Sequence, residues 1–159
     1  MTTVEIVETD EGDPRVAPLV RELRAELDAR YPEEIEFDHP RVKARARFLL
    51  ALVDGHAAGC CALQALGDGD SELKRMYVRP GNRGLGIGKR LMGAAEELAL
   101  ASGLTSMRLE TGPRQPEAIA VYERAGFTRI PNYPPYDQWE LSLCYAKALS
   151  SPGLTSPLS

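Results

Sequence analysis

The chain has 159 residues, of which 43% are hydrophobic and 26% are charged, and its formal net charge is −4. This length suits one domain with a sizeable core, no apolar run reaches the roughly 18 residues of a membrane-spanning helix, and the first residues show no secretory signal. We therefore predict a cytoplasmic protein with a single domain over residues 1–149 and a mobile tail over 150–159, with neither a membrane nor a nucleic-acid partner.

Charge is distributed unevenly along the chain. Residues 1–40 carry 12 acidic and 4 basic side chains, whereas residues 41–159 carry 11 acidic and 15 basic ones. Through electrostatic steering, the basic remainder would suit an anionic cofactor and the acidic first quarter a cationic substrate. A solvated acidic helix face would explain the same distribution.

The three cysteines and two histidines form no metal-binding or disulfide pattern. Cys60 and Cys61 are adjacent in a predicted strand, so their side chains should point to opposite faces of a sheet. Cys144 lies far away in sequence. We expect three buried, inert thiols and no metal.

The first half of the chain predicts a strand, a long helix and a β-hairpin. Asp13-Pro14 is typical of a helix start, with an acidic N-cap followed by proline, and Asp54-Gly55 is a strong hairpin signal. The predicted elements are a strand over 4–7, a helix over 14–30, a short helix near 41–46, and strands over 48–53 and 57–66.

The second half alternates between strands and helices. The predicted elements are strands over 72–78 and 105–110, helices over 87–102 and 116–124, and a last antiparallel pair over 127–130 and 139–145. A strand, a crossover helix and a strand in this order imply a right-handed parallel pair, so the loop after the first strand lies at the carboxyl edge of the sheet. The pattern predicts a mixed α/β fold with one central parallel pair.

The connection from Arg79 to Gly88 reads Arg-Pro-Gly-Asn-Arg-Gly-Leu-Gly-Ile-Gly and joins a strand to a helix. Glycines let backbone N–H groups approach a phosphate closely, and the helix start adds the positive end of its dipole. Lys89 and Arg90 place positive charge in the first turn, where acidic residues are usual, and this indicates a bound anion. An ordinary glycine-rich turn with solvated basic side chains is the alternative.

The spacing of this loop excludes two common phosphate-binding motifs. A P-loop requires Ser or Thr after Gly88-Lys89, and the dinucleotide fingerprint requires a Gly-x-Gly-x-x-Gly spacing, whereas the glycines here are two residues apart. The spacing matches a third pattern, Gln/Arg-x-x-Gly-x-Gly/Ala, whose defined positions are filled by Arg83, Gly86 and Gly88. This pattern resembles the acyl-CoA pyrophosphate loop of the GNAT superfamily of N-acetyltransferases.

A second segment strengthens the resemblance. Residues Gln115 to Phe127 resemble the family's Asn-x-x-Ala-x-x-x-Tyr-x-x-x-Gly-Phe segment, with Gln115 where the family usually has asparagine. The resemblance covers roughly residues 4–146 and implies the GNAT fold, in which two central parallel strands splay apart to admit acetyl-CoA. The cofactor-binding residues that it implies are Met76, Tyr77, Val78, Arg83, Gly84, Leu85, Gly86, Ile87, Gly88, Lys89 and Gln115.

The expected chemistry needs a base and an acid. An alkylamine with a pKa near ~10 must lose a proton before it attacks a thioester, and the thiolate that leaves, with a conjugate acid of pKa near ~8.5, can take a proton from a phenol. The resemblance implies Glu72 as the base and Tyr122 as the acid, with Glu110 as the runner-up base. Alternatively, Glu72 merely begins its strand, Tyr122 is a core residue, and Glu110 orients a loop or binds substrate.

The acceptor pocket, by family analogy, lies between the first helices and the last hairpin. Aromatic rings beside carboxylates suit a cation there, although packing of the loops would also explain them. The candidate substrate-binding residues are Tyr31, Glu34, Glu110, Tyr133 and Tyr136.

The predicted function is an N-acetyltransferase that moves an acetyl group from acetyl-CoA to a primary amine, by direct attack through a tetrahedral intermediate. The acceptor would be a small, cationic amine or an exposed protein amine. Homodimers are common in the family, and the sequence does not decide whether this chain forms one. The alternative function is a catalytically silent acyl-CoA-binding sensor or regulatory module.

Overall fold

Seven strands form one mixed sheet in the computed structural model, which describes residues 1–150. The strands are β1 (Val4–Thr9), β2 (Arg47–Val53), β3 (His56–Gly67), β4 (Asp70–Val78), β5 (Ser106–Thr111), β6 (Thr128–Ile130) and β7 (Leu143–Ala148). The helices are α1 (Val16–Arg30), α2 (Ile87–Ala101) and α3 (Pro116–Arg124). In the order β1-β2-β3-β4-β5-β7-β6, β4 and β5 are parallel and all other neighbours are antiparallel. This confirms the mixed α/β sheet with a central parallel pair.

Two apolar clusters hold helices on opposite faces of the sheet. The buried stripe of α1, which includes Leu19 and Leu23, packs in one cluster with Cys60. The buried stripe of α2, which includes Leu91, packs in the other cluster with Cys61. Adjacent strand residues face opposite sides, so α1 and α2 cover different faces. All three cysteines are free and buried, as predicted.

The two parallel strands separate partway along their length. Pairing between β4 and β5 extends from Asp70 opposite Ser106 to Leu73 opposite Leu109, although β4 continues to Val78. Just beyond this point a β-bulge shifts the register between β3 and β4, and Arg75 takes a left-handed φ of 58°. A bulge bends its strand and increases the local twist, so β4 diverges from β5 and a cleft opens between them.

The short helix predicted near 41–46 is wrong. This segment contains only a turn at residues 44 and 45, and the Lys43 N–H donates a hydrogen bond to Gln64 Oε1 on β3 at 3.0 Å. So few residues cannot repay the cost of helix nucleation without strong packing. A short 3₁₀ turn forms earlier, at Pro32–Glu34.

Two predicted boundaries also differ from the structure. The last strand begins at Leu143 rather than at Trp139, because Tyr136–Gln138 forms a 3₁₀ turn and the Trp139 ring stacks on Phe37 with 5.5 Å between centroids. Helix α1 begins at Val16 and has no side-chain cap. The Asp13 carboxylate, predicted to cap the helix, accepts a hydrogen bond from the Arg15 N–H at 2.9 Å, so it caps the turn that leads into α1.

Residues 151–159 lie outside the described part of the chain, and nearly all of the predicted tail falls there. Within residues 1–150, none of the helices combines the length and the apolarity that crossing a membrane requires.

Candidate active site

A groove with a volume of about 660 Å³ lies where β4 and β5 separate, and α2 and α3 form its other walls. Nine of the eleven predicted cofactor-binding residues line it: Met76, Tyr77, Val78, Arg83, Gly84, Gly86, Gly88, Lys89 and Gln115. Of the other two, Leu85 is half exposed, and the Ile87 side chain is buried in the core. The structure thus brings the end of β4, the loop and helix start that follow it, and the start of α3 to one groove.

The loop at the mouth of the groove has the backbone that its glycines permit. Gly84 and Gly86 have φ values of 88° and 74°, which side-chain-bearing residues rarely adopt. Gly86 is also the N-cap of α2, whose first turn contains no acidic residue. The first N–H groups of a helix have no acceptor within the helix, so this end of the groove presents donors and positive charge.

The basic side chains of the loop differ in where they point. Lys89 lines the groove, whereas Arg90 faces away and donates a hydrogen bond to the Val4 carbonyl at 2.7 Å. Arg83 lines the groove but is held by α1, because its Nη2 donates to Glu26 Oε1 at 2.7 Å. An anion in the groove would therefore compete with Glu26 for Arg83.

A second, smaller cavity of about 120 Å³ adjoins the groove on the β5 side. Its lining includes four of the predicted substrate-binding residues, namely Tyr31, Glu34, Glu110 and Tyr136. The residues that line both the cavity and the groove are Leu23, Met76, Gln115 and Tyr122. The two spaces therefore meet beside the Tyr122 side chain, and we call the smaller one the acceptor cavity.

Glu72 lies in a buried network rather than on the wall of either space. Its side chain is only 5% exposed, its Oε1 accepts a hydrogen bond from Gln64 Nε2 at 2.8 Å, and its Oε2 accepts one from the Tyr133 hydroxyl at 3.0 Å. Both carboxylate oxygens are therefore engaged. Tyr133, predicted to bind substrate, is likewise absent from the lining of the two spaces.

Glu110 lies near the end of β5 and lines the acceptor cavity. Burial raises the pKa of Glu110 to about 7, against the opposing effect of the Ser142 hydroxyl, which donates a hydrogen bond to Oε2 at 2.8 Å. A carboxylate whose pKa lies near neutrality is well suited to accept a proton from a substrate at neutral pH.

Tyr122 lies on α3 and is 6% exposed. Burial raises the pKa of its phenol, so the hydroxyl keeps its proton at neutral pH. Phe127 packs edge-on against the ring, with 6.1 Å between centroids. The result is a neutral hydroxyl held at the boundary between the groove and the acceptor cavity, where it can act as a proton donor.

Tyr31 positions the loop between β5 and α3. Its hydroxyl accepts a hydrogen bond from the Arg114 N–H at 3.0 Å and donates one to Gln115 Oε1 at 3.2 Å. A Cβ at Gly112 would lie 2.3 Å from the same hydroxyl, so glycine is required there. Tyr31 thus fixes the side-chain amide of Gln115, which lines both spaces.

Sequence reasoning missed Lys74 and Arg75, which both line the acceptor cavity. Neighbouring residues of a regular strand face opposite sides, but the bulge at Arg75 turns both side chains toward this cavity. Lys74 is 9% exposed, and burial lowers the pKa of both groups. The sequence feature that could have identified these two residues is a pair of adjacent cations inside an otherwise buried strand.

No three His, Cys, Asp or Glu side chains in the described range converge in a way that would hold a metal ion. The groove and the acceptor cavity offer a ligand backbone amides, carboxylates, hydroxyl groups and basic side chains.

The sequence and the fold of this chain are similar to those of known proteins. The model of the acetyltransferase (GNAT) family matches residues 14–127. An "IAA acetyltransferase" from Azospirillum brasilense is 37% identical over 153 residues, which are 94% of this chain and 100% of that protein. A presumed acyl-CoA N-acyltransferase from Klebsiella pneumoniae has a similar structure, with a TM-score of 0.77 and 30% identity over 93% of this chain and 99% of that one.

One similar structure was solved with a ligand. The PaiA N-acetyltransferase from Thermoplasma acidophilum, in complex with coenzyme A, has a TM-score of 0.69 and covers 92% of this chain and 99% of its own. At 19% identity this likeness shows the fold alone.

Proposed function

Since this chain belongs to the acetyltransferase (GNAT) family, we propose that it transfers an acetyl group from acetyl-CoA to the nitrogen of a primary amine. Membership confirms the resemblance that the glycine loop and the segment from Gln115 to Phe127 indicated. Family membership alone leaves the donor, the acceptor and the residues that act on them to be argued from the site.

The groove supports acetyl-CoA as the donor. Beyond Leu73 the edge of β4 that faces β5 is free of strand pairing, so its backbone can pair with the amides of a pantetheine arm in the way that an added strand would. The glycine loop and the start of α2 suit a pyrophosphate, with Lys89 nearby on the same wall. Within residues 1–150 no side chain fills the space, whose volume of about 660 Å³ suits a large ligand.

The observation that carries the proposal is the meeting of the groove and the acceptor cavity at Tyr122. An acyl donor that lies in the groove and an amine that lies in the acceptor cavity would bring their reacting atoms together there. Holding two reactants in this way converts a bimolecular step into an effectively unimolecular one. The small volume of the acceptor cavity favours a small molecule over a protein side chain.

We assign the base role to Glu110 rather than to Glu72. Glu110 lines the acceptor cavity, whereas Glu72 is saturated by Gln64 and Tyr133. Glu110 would accept the amine proton, directly or through water, as the nitrogen bonds to the thioester carbonyl carbon. The Tyr122 hydroxyl would give its proton to the thiolate as the C–S bond breaks, so that the products are the N-acetyl compound and coenzyme A.

Release of the coenzyme A thiol, measured over a panel of amines, tests this proposal. We expect release to depend on both acetyl-CoA and an amine, and the N-acetyl product to appear in equal amount. If acetyl-CoA binds to the folded protein but no amine raises release above hydrolysis, the chain is a silent acyl-CoA-binding module and the proposed activity is wrong.

A further inference from the structure

The acceptor cavity is lined by charged side chains of both signs, of which Lys74 is buried and the other three are partly buried. Glu34 and Glu110 line it as carboxylates, and Lys74 and Arg75 line it as cations. Among residues 1–150, no ion pair involves Arg75, Glu34 or Glu110 within 4.0 Å, and Lys74 Nζ reaches Glu72 Oε1 only at the limit of 4.0 Å. Buried charges are costly unless they are paired, so this arrangement needs an explanation.

Other charged side chains at and near the acceptor cavity are paired, in contrast to Arg75. Arg24, which also lines the cavity, donates to Asp28 at 3.0 Å, and Arg114, next to the cavity, pairs with Glu33. Among residues 1–150, the Arg75 guanidinium has the Pro40 carbonyl as its only hydrogen-bond acceptor, at 3.3 Å. The same carbonyl accepts a hydrogen bond from Lys74 at 3.4 Å. Neutral carbonyl oxygen satisfies a hydrogen bond but leaves the positive charge unbalanced.

The fold keeps the two signs apart across the gap between the parallel strands. Leu73 and Leu109 are the last paired residues of β4 and β5, so Lys74 and Glu110 are the first residues beyond the divergence. They face the same cavity from opposite strands. A ligand that reached both would need an anionic and a cationic group only a few atoms apart.

We propose that the acceptor is a small amino acid, whose carboxylate binds Lys74 and Arg75 while its amine faces Glu110 and Glu34. This inference rests on the proposed function and names its substrate class. A simple diamine would instead place positive charge against Lys74 and Arg75. The volume of about 120 Å³ suits a molecule of this size.

The Thr111 hydroxyl is a further polar group that a bound acceptor could contact. Thr111 is only 5% exposed and lines the acceptor cavity beside Glu110, yet its Oγ1 has no hydrogen-bond partner in the described part of the chain. Buried polar atoms in native structures rarely lack a partner. An amino or carboxylate group of the acceptor would provide one.

Matched acceptors test the inference on the unmodified protein. The thiol-release assay would compare each L-amino acid with its carboxamide, which keeps the amine but lacks the carboxylate, and with its decarboxylated amine. We expect the free amino acids that fit to exceed both analogues in kcat/KM by about 10- to 100-fold, because hydrogen bonds to charged, buried groups carry much of the affinity.

Variants of Lys74 and Arg75 test whether these residues bind the carboxylate of the acceptor. Arg75→Gln and Lys74→Met should lower kcat/KM for the preferred amino acid by about tenfold or more, and should lower kcat/KM for its decarboxylated amine by clearly less. Arg47→Gln is the matched control, since this arginine lies on the surface and pairs with Glu8 far from the site. Coenzyme A affinity, measured by calorimetry, verifies that each variant has folded.

The outcomes separate the two proposals. If carboxamides or decarboxylated amines are acetylated as well as the free amino acids, the substrate class is wrong although the acetyltransferase function stands. If no acceptor of any kind stimulates release, the proposed function fails and this inference fails with it.

Discussion

The groove and the acceptor cavity are built in different ways, although they meet at Tyr122. The groove offers a ligand an unpaired strand edge, a glycine loop and a helix start, and most of its lining residues come from β4, from the loop and helix that follow it, and from α3. The acceptor cavity is made of side chains from α1, from the segments around His39 and Trp139, from β4 and from β5. A site that binds through its backbone can be predicted from local sequence patterns, whereas a site that binds through side chains depends on how distant segments pack together.

This contrast explains what the sequence predicted. The loop from Arg79 to Gly88, the central parallel pair and the segment that carries Tyr122 are local patterns, and the structure contains all three elements. The two adjacent cations of the acceptor cavity are visible in the sequence, but the bulge at Arg75 that turns both of them toward the cavity is not. In the same way, the choice between Glu72 and Glu110 depends on side-chain hydrogen bonds to Glu72 from Gln64, on the neighbouring strand, and from Tyr133, which is 61 residues away in sequence.

The largest effect should come from Glu110. Glu110→Gln removes the proposed base and should lower kcat by about 10²–10⁴-fold, whereas Glu72→Gln should act mainly on the free energy of unfolding, by about 1–3 kcal/mol, because it disturbs a buried network. Steady-state kinetics and urea unfolding measure the two effects. A severe kinetic loss in Glu72→Gln, with near-normal kinetics in Glu110→Gln, would reverse the assignment.

A smaller effect is expected at the boundary of the two spaces. Tyr122→Phe should lower kcat by about 10²-fold and leave coenzyme A affinity unchanged. The expected loss in kcat is smaller than for the base because a thiolate is a good leaving group and depends less on an acid. Rapid-quench kinetics would show whether product release hides the chemical step. An unchanged chemical step would remove Tyr122 as the acid.

Substitution of a loop glycine should weaken coenzyme A binding in the groove. Gly86→Val forces a β-branched residue to a φ of 74°, and strain of about 1–3 kcal/mol would weaken coenzyme A binding by about 5- to 150-fold. Gly81→Ala is the control in the same loop, because a Cβ there would meet nothing within 4 Å. Equal affinities for the two variants, measured by calorimetry, would show that the loop backbone does not bind the cofactor.

The pH profile should report Glu110. A base must be deprotonated to accept a proton, and the pKa of Glu110 lies at about 7. The amine acceptor also loses its proton as the pH rises, so kcat/KM at each pH is divided by the value for Glu110→Gln. This ratio should rise about tenfold between pH 6 and pH 8 and then level. If both proteins show the same inflection near neutrality, it belongs to another group.

The smallest effect concerns the loop arginine. Glu26→Gln releases Arg83 from its ion pair, and coenzyme A affinity should rise by up to about fivefold, because partly exposed pairs contribute at most about 1 kcal/mol. Glu8→Gln, which breaks the surface pair with Arg47, is the control. Affinity that falls in Glu26→Gln would indicate that Glu26 itself supports the bound cofactor.

The central claim is that the groove and the acceptor cavity form one reaction site. Its most direct test is calorimetry with a conjugate in which an acetyl bridge joins the sulfur of coenzyme A to the nitrogen of the best acceptor in the release assay. A conjugate that spans both spaces should bind at least about 10²-fold more tightly than coenzyme A alone. Equal affinity for the conjugate and for coenzyme A would contradict the claim, since the acceptor half would then lie outside any binding site.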